Sequence, residues 1–475
     1  MNFWEIPANN HSSVALIEAA SGREMTYREL DESVQRLVGS VFAGDKRLVL
    51  VLCHNRPADI VVYLAALRAG HAVLLLESKL DAKLRERIIS TYEPDLLVDG
   101  AETLAVDGYA SCHQDEGLHL FRRQAPASAP LFPGLAVLLS TSGTTGSPKL
   151  VRLSARNISA NAASIMDYLG LRPDDRAITS LPMSYSYGLS VINSHLACGA
   201  SLVCTNETMA QRQFWDIFRR HACTSFAGVP YNYQMLMRFG FKTMSLPSLR
   251  TMTQAGGRLG EEVKKHYLQV AVEKGLSYFV MYGQTEATAR ISYVPPARLG
   301  EKLNSIGIAV PGGRLFLREG ETVVTDAGVE GELIYEGPNV MLGYAESRAC
   351  LSKGDELQGR LATGDLARRD DEGFYYITGR LKRFLKVFGL RINLDEIERM
   401  LEDEFSCPIA CSGIDDKLVI VIEQVNEAAR EALRQRVIDT YKIHNSAVKL
   451  RAVPVIPHTN SGKKDYSLIK GMALD

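Results

Sequence analysis

The 475-residue sequence predicts an α/β chain. A large N-terminal part carries parallel-rich sheets covered by helices, with a small β-barrel-like subdomain at its end, and a small α+β part follows. Three observations lead there. Strand-sized apolar runs alternate with helical spacing through most of residues 1–381. Between residues 294 and 380 short Gly- and Val-rich segments take over, with turn signals about ten residues apart, as in a small barrel or meander. From Lys382 the pattern changes again, to helix, strand and helix.

Taken in order, Arg47–Cys53 (RLVLVLC) reads as a strand, Pro57–Ala69 as a helix and Ala72–Leu76 (AVLLL) as a second strand. Strand–helix–strand favours a parallel pair with a helical crossover. The pattern recurs as strand Leu135–Leu139, helix Ser154–Leu169 and strand Arg176–Leu181. Thr224–Val229, Thr251–Gln254 and Tyr278–Met281 are further strands, each followed by turn chemistry. The stretch IGIAVPGGRLFLREGETVVTDAGVEGELIYEG suits β-hairpins. Asp395–Glu404 is an amphipathic helix, Lys417–Glu423 (KLVIVIE) an alternating strand and Glu427–Ile443 another helix. The expected units are therefore 1–381, with 294–380 its β-rich subdomain, and 382–475. No repeat and no low-complexity stretch interrupts them.

Composition narrows the function classes. Hydrophobic residues make up 46%, charged residues 23%, and the formal net charge is −1, so no global field steers the chain to nucleic acid or an anionic membrane. The first residues lack a basic region ahead of an apolar run, so no signal peptide is read. No apolar run reaches the ~18 residues a membrane-spanning helix needs. The eight cysteines, at 53, 112, 198, 204, 223, 350, 407 and 411, include no CxxC pair. They are read as free thiols buried as small hydrophobes, and a cytoplasmic, reducing compartment fits them.

The most informative segment is Thr141-Ser-Gly-Thr-Thr-Gly-Ser-Pro-Lys149, directly after the strand Leu135–Leu139. Its hydroxyls, glycines and backbone N–H groups can wrap phosphate oxygens, and Lys149 supplies positive charge. Ser/Thr/Gly composition alone would suit a flexible linker; the place after a strand and the closing Pro148-Lys149 argue against one. A Walker A loop is disfavoured, because Lys149 stands between Pro148 and Leu150 instead of following Gly and preceding Ser or Thr.

TSGTTGSPK resembles the signature of the adenylate-forming superfamily: acyl-CoA synthetases, aryl-acid ligases, peptide-synthetase adenylation domains and luciferases. Met281-Tyr-Gly-Gln-Thr-Glu286 is similar to that family's YGxTE motif, Gln254-Ala-Gly-Gly257 to its glycine turn, Thr363-Gly-Asp365 and Gly379-Arg380 to its ribose-binding pair, and Pro457-His-Thr-Asn-Ser-Gly-Lys463 to its C-terminal PxxxxGK. The resemblance implies ATP and Mg2+ as ligands. Thr141, Ser142, Gly143, Thr144, Thr145, Gly146 and Lys149 would hold the phosphates. Gly256, Gly257, Tyr282 and Gly283 would line the nucleotide, Asp365 would bind the ribose hydroxyls, and Arg380 would contact ribose or phosphate. Thr285 would touch the α-phosphate, and Glu286 with Thr144 would hold the metal. Lys463 becomes the catalytic lysine, Lys382 the hinge of a mobile C-terminal domain, and Gly389 a lining of the thiol tunnel.

The same resemblance implies activation of a small carboxylic acid to an acyl- or aryl-adenylate with release of pyrophosphate. Acyl transfer to a thiol follows, with CoA as the co-substrate. Transfer to the phosphopantetheine of an acyl or aryl carrier protein is the alternative. A nucleotide-binding protein without catalysis is the alternative from another class, and intact Lys463, Glu286 and Asp365 argue against it. By family position the acid pocket involves Tyr185, Ser186, Phe226 and Gly228. Tyr185 stands where amino-acid-activating domains tend to carry Asp, which disfavours an α-amino acid because a buried unpaired ammonium is costly. Arg258 departs from the family pattern and is expected in solvent. Tyr185 and Tyr187 also read equally well as core aromatics.

Overall fold

Strand Leu48–Cys53 is apolar at every position because both its faces are covered. Val49 and Val51 enter a core with helices Tyr27–Ser40, Pro57–Arg68 and Ser186–Cys198, while Leu48, Leu50 and Leu52 pack with helix Ala82–Tyr92. The computed structural model describes every residue except 1, 7–10, 101–105, 116, 141–148, 382, 388–389, 424–425, 460–462 and 475.

Two large sheets share the core that contains Val49. In the eight-stranded one, Leu48–Cys53 pairs in parallel with Ala72–Glu77 and Leu96–Asp99, and Ala72–Glu77 with Leu135–Ser140. Leu150–Ser154 returns antiparallel beside Leu135–Ser140. The nine-stranded sheet has a parallel centre: Val14–Glu18, Ser201–Cys204, Arg176–Ile178, Ser225–Gly228, Thr251–Gln254 and Ser277–Tyr282. Antiparallel strands close both of its edges. Its outer face packs on helices Arg212–Arg220, Pro230–Arg238 and Glu261–Lys274 through Phe214, Trp215, Phe218, Tyr233, Leu236 and Tyr267. The segment TYREL starts helix Tyr27–Ser40 with a capping box: the Thr26 hydroxyl accepts from the Glu29 N–H and the Glu29 carboxylate accepts from the Thr26 N–H.

Local differences from the sequence reading have simple causes. The strand expected over Arg176–Leu181 ends at Ile178, where the Ser180 N–H turns back onto the Ile178 carbonyl at 2.8 Å. Within 294–380, strands Arg314–Glu319, Thr322–Val324, Glu330–Glu336, Arg360–Arg369 and Tyr375–Arg380 form a five-stranded antiparallel sheet. Two pieces of that stretch serve elsewhere. Ile308–Ala309 edges the nine-stranded sheet, and Gly343–Ala345 pairs with Leu150–Ser154 in the eight-stranded one.

The C-terminal part has its own core. Strands Ile409–Ile414, Lys417–Glu423 and Val448–Val453 form a mixed sheet under helices Leu394–Phe405, Glu427–Tyr441 and Tyr466–Leu474. The two clusters that fill it draw only on residues from Leu385 onward. Among the described residues no helix is long and apolar enough to cross a membrane. All eight cysteines are free thiols. Cys53, Cys204, Cys223 and Cys411 are buried as expected, but Cys112 is exposed.

Candidate active site

The motif around Tyr282 sits where a strand stops and the chain doubles back. Strand Ser277–Tyr282 ends at Gly283, and a Cβ there would lie 1.8 Å from the Ala289 carbonyl oxygen, so only glycine lets the returning chain pass. A 3-10 turn covers Thr285–Ala287, and Thr288 and Ala289 take left-handed backbone angles (φ 58° and 107°) to complete the reversal. The Ile291 N–H then bonds the Tyr282 carbonyl at 3.0 Å.

Asp365 is the hub of the first polar cluster. The hairpin of Arg360–Arg369 and Tyr375–Arg380 places Asp365 directly opposite Arg380. Arg380 Nε donates to Oδ1 at 2.9 Å, while Oδ2 accepts from the Tyr282 hydroxyl and, at 3.0 Å, from Gln284 Nε2. Gln284 also donates to the Thr363 carbonyl at 3.0 Å. Asp365 is 3% exposed, whereas its partner Arg380 is exposed, so the ion pair sits at the edge of the buried cluster. Burial first, and then the charge of Asp365, hold the Tyr282 phenol well above its ordinary range. The Asp365 charge raises Arg380. The phenol therefore stays neutral and Arg380 stays a cation.

Glu286 belongs to a second cluster built on Tyr344. That tyrosine lies on Gly343–Ala345, the strand paired with Leu150–Ser154, which follows Lys149. Its hydroxyl donates to Glu286 Oε1 at 2.8 Å, and Lys149 Nζ stands 3.6 Å from its ring centroid. One side chain thus orients a carboxylate at its hydroxyl and a cation on its face.

Lys463 reaches both clusters from the far end of the chain. Burial lowers its pKa, the Arg380 charge lowers it further, and Glu286 and Asp365 oppose them. The fold therefore brings Lys463 into the field of residues 83 to 177 positions earlier in sequence. Its neighbour explains the anchoring. Lys464 Nζ donates to Glu398 at 3.1 Å, to Glu402 at 2.7 Å and to the Ile409 carbonyl. Glu398, 5% exposed, also accepts from Arg383 (2.7 Å), the Cys411 N–H (2.6 Å) and the Tyr466 hydroxyl (2.7 Å). Of two adjacent lysines, one is locked into the C-terminal core and the other lies in the electrostatic field of Arg380, Glu286 and Asp365.

The acid-side residues fall on two faces of one strand and on the helix start beside it. Strand Ser225–Gly228 alternates its faces. Ala227 joins Leu181, Tyr187, Val229, Ala255, Phe279 and Met281, whereas Phe226 turns the other way. Its ring packs against Trp215 and Phe241 at 5.7 Å each. Gly228 shares that face, and a Cβ on it would meet the Tyr233 ring at 2.8 Å. The Phe226 ring therefore belongs to the outer core, and only the backbone of Gly228 is available to the Tyr185 side. Tyr185 and Tyr187 do meet here, edge to face at 6.3 Å, and a Cβ on Gly256 would lie 2.7 Å from the Tyr185 hydroxyl. Ser186 opens helix Ser186–Cys198 and its hydroxyl lies 3.1 Å from that of Thr285, which joins the tyrosine pair to the Glu286 turn. Gly256 needs its left-handed φ of 87° to make the turn after Gln254, whose side chain donates to the Gly257 carbonyl at 3.0 Å. Arg258 is exposed, as expected, and there makes a surface ion pair with Asp403 of helix Leu394–Phe405 at 3.3 Å.

Thr141, Ser142, Gly143, Thr144, Thr145, Gly146, Lys382 and Gly389 lie outside the described residues. The sequence reading passed over Gln284, Tyr344, Arg290 and the Glu398–Lys464 clamp. Gln284 sits inside a motif already singled out, and Arg290 could have been flagged as a charge entering the apolar run ISYV. Nothing local marks Tyr344 or Glu398.

The donor set fits a magnesium nucleotide. Lys149, Arg380 and Lys463 offer cations for phosphates, and Glu286 offers one hard carboxylate. Among the described residues no three His, Cys, Asp or Glu side chains form a ready cage. That suits Mg2+, which takes one or two carboxylates and completes its shell with phosphate oxygens and water.

The chain matches the AMP-binding enzyme family over residues 3–345. Indoleacetate–CoA ligase of Aromatoleum aromaticum is 27% identical over 80% of this chain and 78% of its own length. D-alanine–D-alanyl carrier protein ligase of Bacillus mycoides is 25% identical over 84% and 81%. Among solved structures, o-succinylbenzoate CoA synthetase from Bacillus subtilis, in complex with an acyl-adenylate, superposes with a TM-score of 0.78 at 22% identity, covering 99% of this chain and 98% of that one. ATP-bound MatB from Rhodopseudomonas palustris gives 0.78 at 21% identity, covering 100% and 99%. At these identities the structural likeness concerns the fold.

Proposed function

Because the chain belongs to the AMP-binding enzyme family, we propose that it is an AMP-forming acid–thiol ligase, with the motif residues above in the roles their positions suggest. In the first step the substrate carboxylate attacks the α-phosphorus of ATP. The bond to pyrophosphate breaks and the acyl-adenylate forms. The acid is already ionised near pH 7 and needs no base. The obstacle is charge, so stabilisation is electrostatic. Lys463, Lys149 and Arg380 face the phosphates, Thr285 the α-phosphoryl group and Asp365 the ribose hydroxyls. Mg2+, held by Glu286 and Thr144, would neutralise phosphate charge. In the second step a thiolate attacks the acyl carbonyl and AMP leaves.

The observation that carries this reading is the convergence of Lys463 with Arg380, Glu286 and Asp365. A unit charge ~4 Å away at an effective dielectric of ~20 interacts by about 4 kcal/mol, roughly a thousandfold in rate. Acid-dependent ATP–pyrophosphate exchange over aryl, short-chain, medium-chain and amino acids tests it. Exchange with one class, falling about a thousandfold in Lys463→Ala, is expected; exchange unaffected by that substitution would sink the assignment.

The acceptor thiol in this reading is CoA. A carrier-protein phosphopantetheine is the second reading, favoured by the relative that is a D-alanyl carrier protein ligase. Adding CoA to the exchange assay separates them. Residues 1–381 act as the adenylating domain and 382–475 as the domain that delivers Lys463 and turns about Lys382 between steps, with Gly389 at the thiol path. The separate C-terminal core is consistent with such a turn.

A further inference from the structure

Arg290 is a buried cation among the described residues with no anion to match it. It is 1% exposed and ranks among the largest fully buried side chains. Its Nε and Nη1 have no hydrogen-bond partner, and no described carboxylate forms an ion pair with it. An arginine does not shed its charge in a protein, so relief has to come from an anion.

The surroundings are aromatic. The guanidinium lies 4.0 Å from the Tyr187 ring centroid, shares a hydrogen bond with the Tyr168 side chain, and acts by its charge on Tyr168, Tyr185 and Tyr187. Burial raises all three phenols more than the arginine lowers them, so none of them serves as the counter-ion. The Tyr187 hydroxyl is already committed to Thr253, 2.9 Å from its carbonyl and 2.8 Å from its hydroxyl. The backbone of Arg290 is pinned, since its carbonyl accepts from Asn339 Nδ2 at 2.8 Å. Tyr185 touches the Gly256 turn and its neighbour Ser186 touches Thr285, so this sleeve adjoins the place where the acid would react.

We propose that Arg290 is the counter-ion for a second anionic group on the acid substrate, which is therefore a dicarboxylate whose far carboxylate enters the Tyr168–Tyr185–Tyr187 sleeve. This rests on the ligase reading above. An acid with a neutral tail would leave the guanidinium desolvated and unpaired, the arrangement by which a site rejects an analogue lacking the expected polar group.

The test is ATP–pyrophosphate exchange by the full chain with two matched sets: glutarate, its half-amide and pentanoate; terephthalate, its half-amide and 4-methylbenzoate. In whichever set reacts, the dianion is expected to exceed both neutral-tailed acids by at least about thirtyfold in kcat/KM, mostly through KM, as for loss of one partner of a buried charge pair. Arg290→Met should bring that ratio near one without changing ATP affinity by calorimetry. A wild-type preference for neutral tails, or a ratio that survives Arg290→Met, would overturn the proposal. If no acid supports exchange, the ligase reading fails by itself. Calorimetric binding of the same acids to wild type and Arg290→Met then decides, and equal affinity for dianion and monoanion overturns it. Should Arg290→Met not fold, the wild-type ratio stands alone as the criterion, with Arg290→Lys expected to keep the dianion preference.

Discussion

Two arginines are buried to the same degree and treated in opposite ways. Arg152 is 0% exposed and Arg290 1%. Arg152 spends its donors on the chain around it. Nε reaches the Tyr344 carbonyl at 3.2 Å, Nη1 the carbonyls of Lys353 and of Gly354 (3.2 Å), and Nη2 the Leu342 carbonyl and Glu356. It staples a distant segment to strand Leu150–Ser154, which is why Gly343–Ala345 sits in that sheet. Arg290 instead meets the Tyr187 ring face and the Tyr168 side chain, and its Nε and Nη1 have no partner. A satisfied buried charge marks architecture; an unsatisfied one marks a place reserved for something else.

The contrast can be broken most directly through stability. Removing one partner of a buried charged network costs about 3–5 kcal/mol, whereas replacing an uncompensated buried charge by an apolar side chain of similar volume is neutral or stabilising. Arg152→Met should therefore lose about 3–5 kcal/mol in urea unfolding, and Arg290→Met should lose under about 1 kcal/mol. Equal losses would mean that both arginines are structural.

His71 solves the same problem a third way, by giving up its charge. It is 1% exposed. Its Nδ1 lies 3.2 Å from the Arg47 N–H and its Nε2 2.9 Å from the Phe42 carbonyl, so the neutral ring donates at Nε2 and accepts at Nδ1. Burial pulls its pKa down from 6.5 to about 4. The unfolded chain then takes up a proton that the folded chain refuses. This stabilisation is full above pH 6.5, is lost as pH falls toward 4, and amounts to roughly 3 kcal/mol at about 1.36 kcal/mol per pH unit. The difference between wild-type and His71→Gln unfolding curves across that window isolates it, and parallel curves would refute it.

Tyr344→Phe is the smallest test. It removes the hydroxyl that holds Glu286 and keeps the ring under Lys149. A hydrogen bond to a charged group contributes about 1.5–3 kcal/mol, so the magnesium concentration for half-maximal exchange should rise by about tenfold or more. An unchanged magnesium dependence would leave Tyr344 as packing alone.

These comparisons also show what could be read before folding. Parallel strands announced themselves because strands such as Leu48–Cys53 are covered on both faces and carry no polar alternation. The Tyr282, Asp365 and Lys463 motifs were legible because each carries its chemistry within a few consecutive residues. The acid side was not. Whether Phe226 or Ala227 faces the sleeve depends on which face of a four-residue strand the neighbouring helices cover, and SFAG carries no alternation to decide it. Glu398 and Tyr344 matter through partners 13 to 195 residues away, a separation over which local patterns are silent. Arg258 paired with Asp403 for the same reason.

The missing side chain at Gly283 ties two ends of the molecule together. Because the Ala289 carbonyl occupies the space where a methyl group would stand, the loop carrying Arg290 is registered against the tyrosine that bonds Asp365. An engineer who reshapes the backbone at residues 288 and 289, as opposed to exchanging the Arg290 side chain alone, would therefore be adjusting the nucleotide end as well. Variants whose loop backbone is rebuilt should carry a compensating change near Tyr282 or Gln284, and in them altered selectivity and altered ATP use would be inherited as a pair.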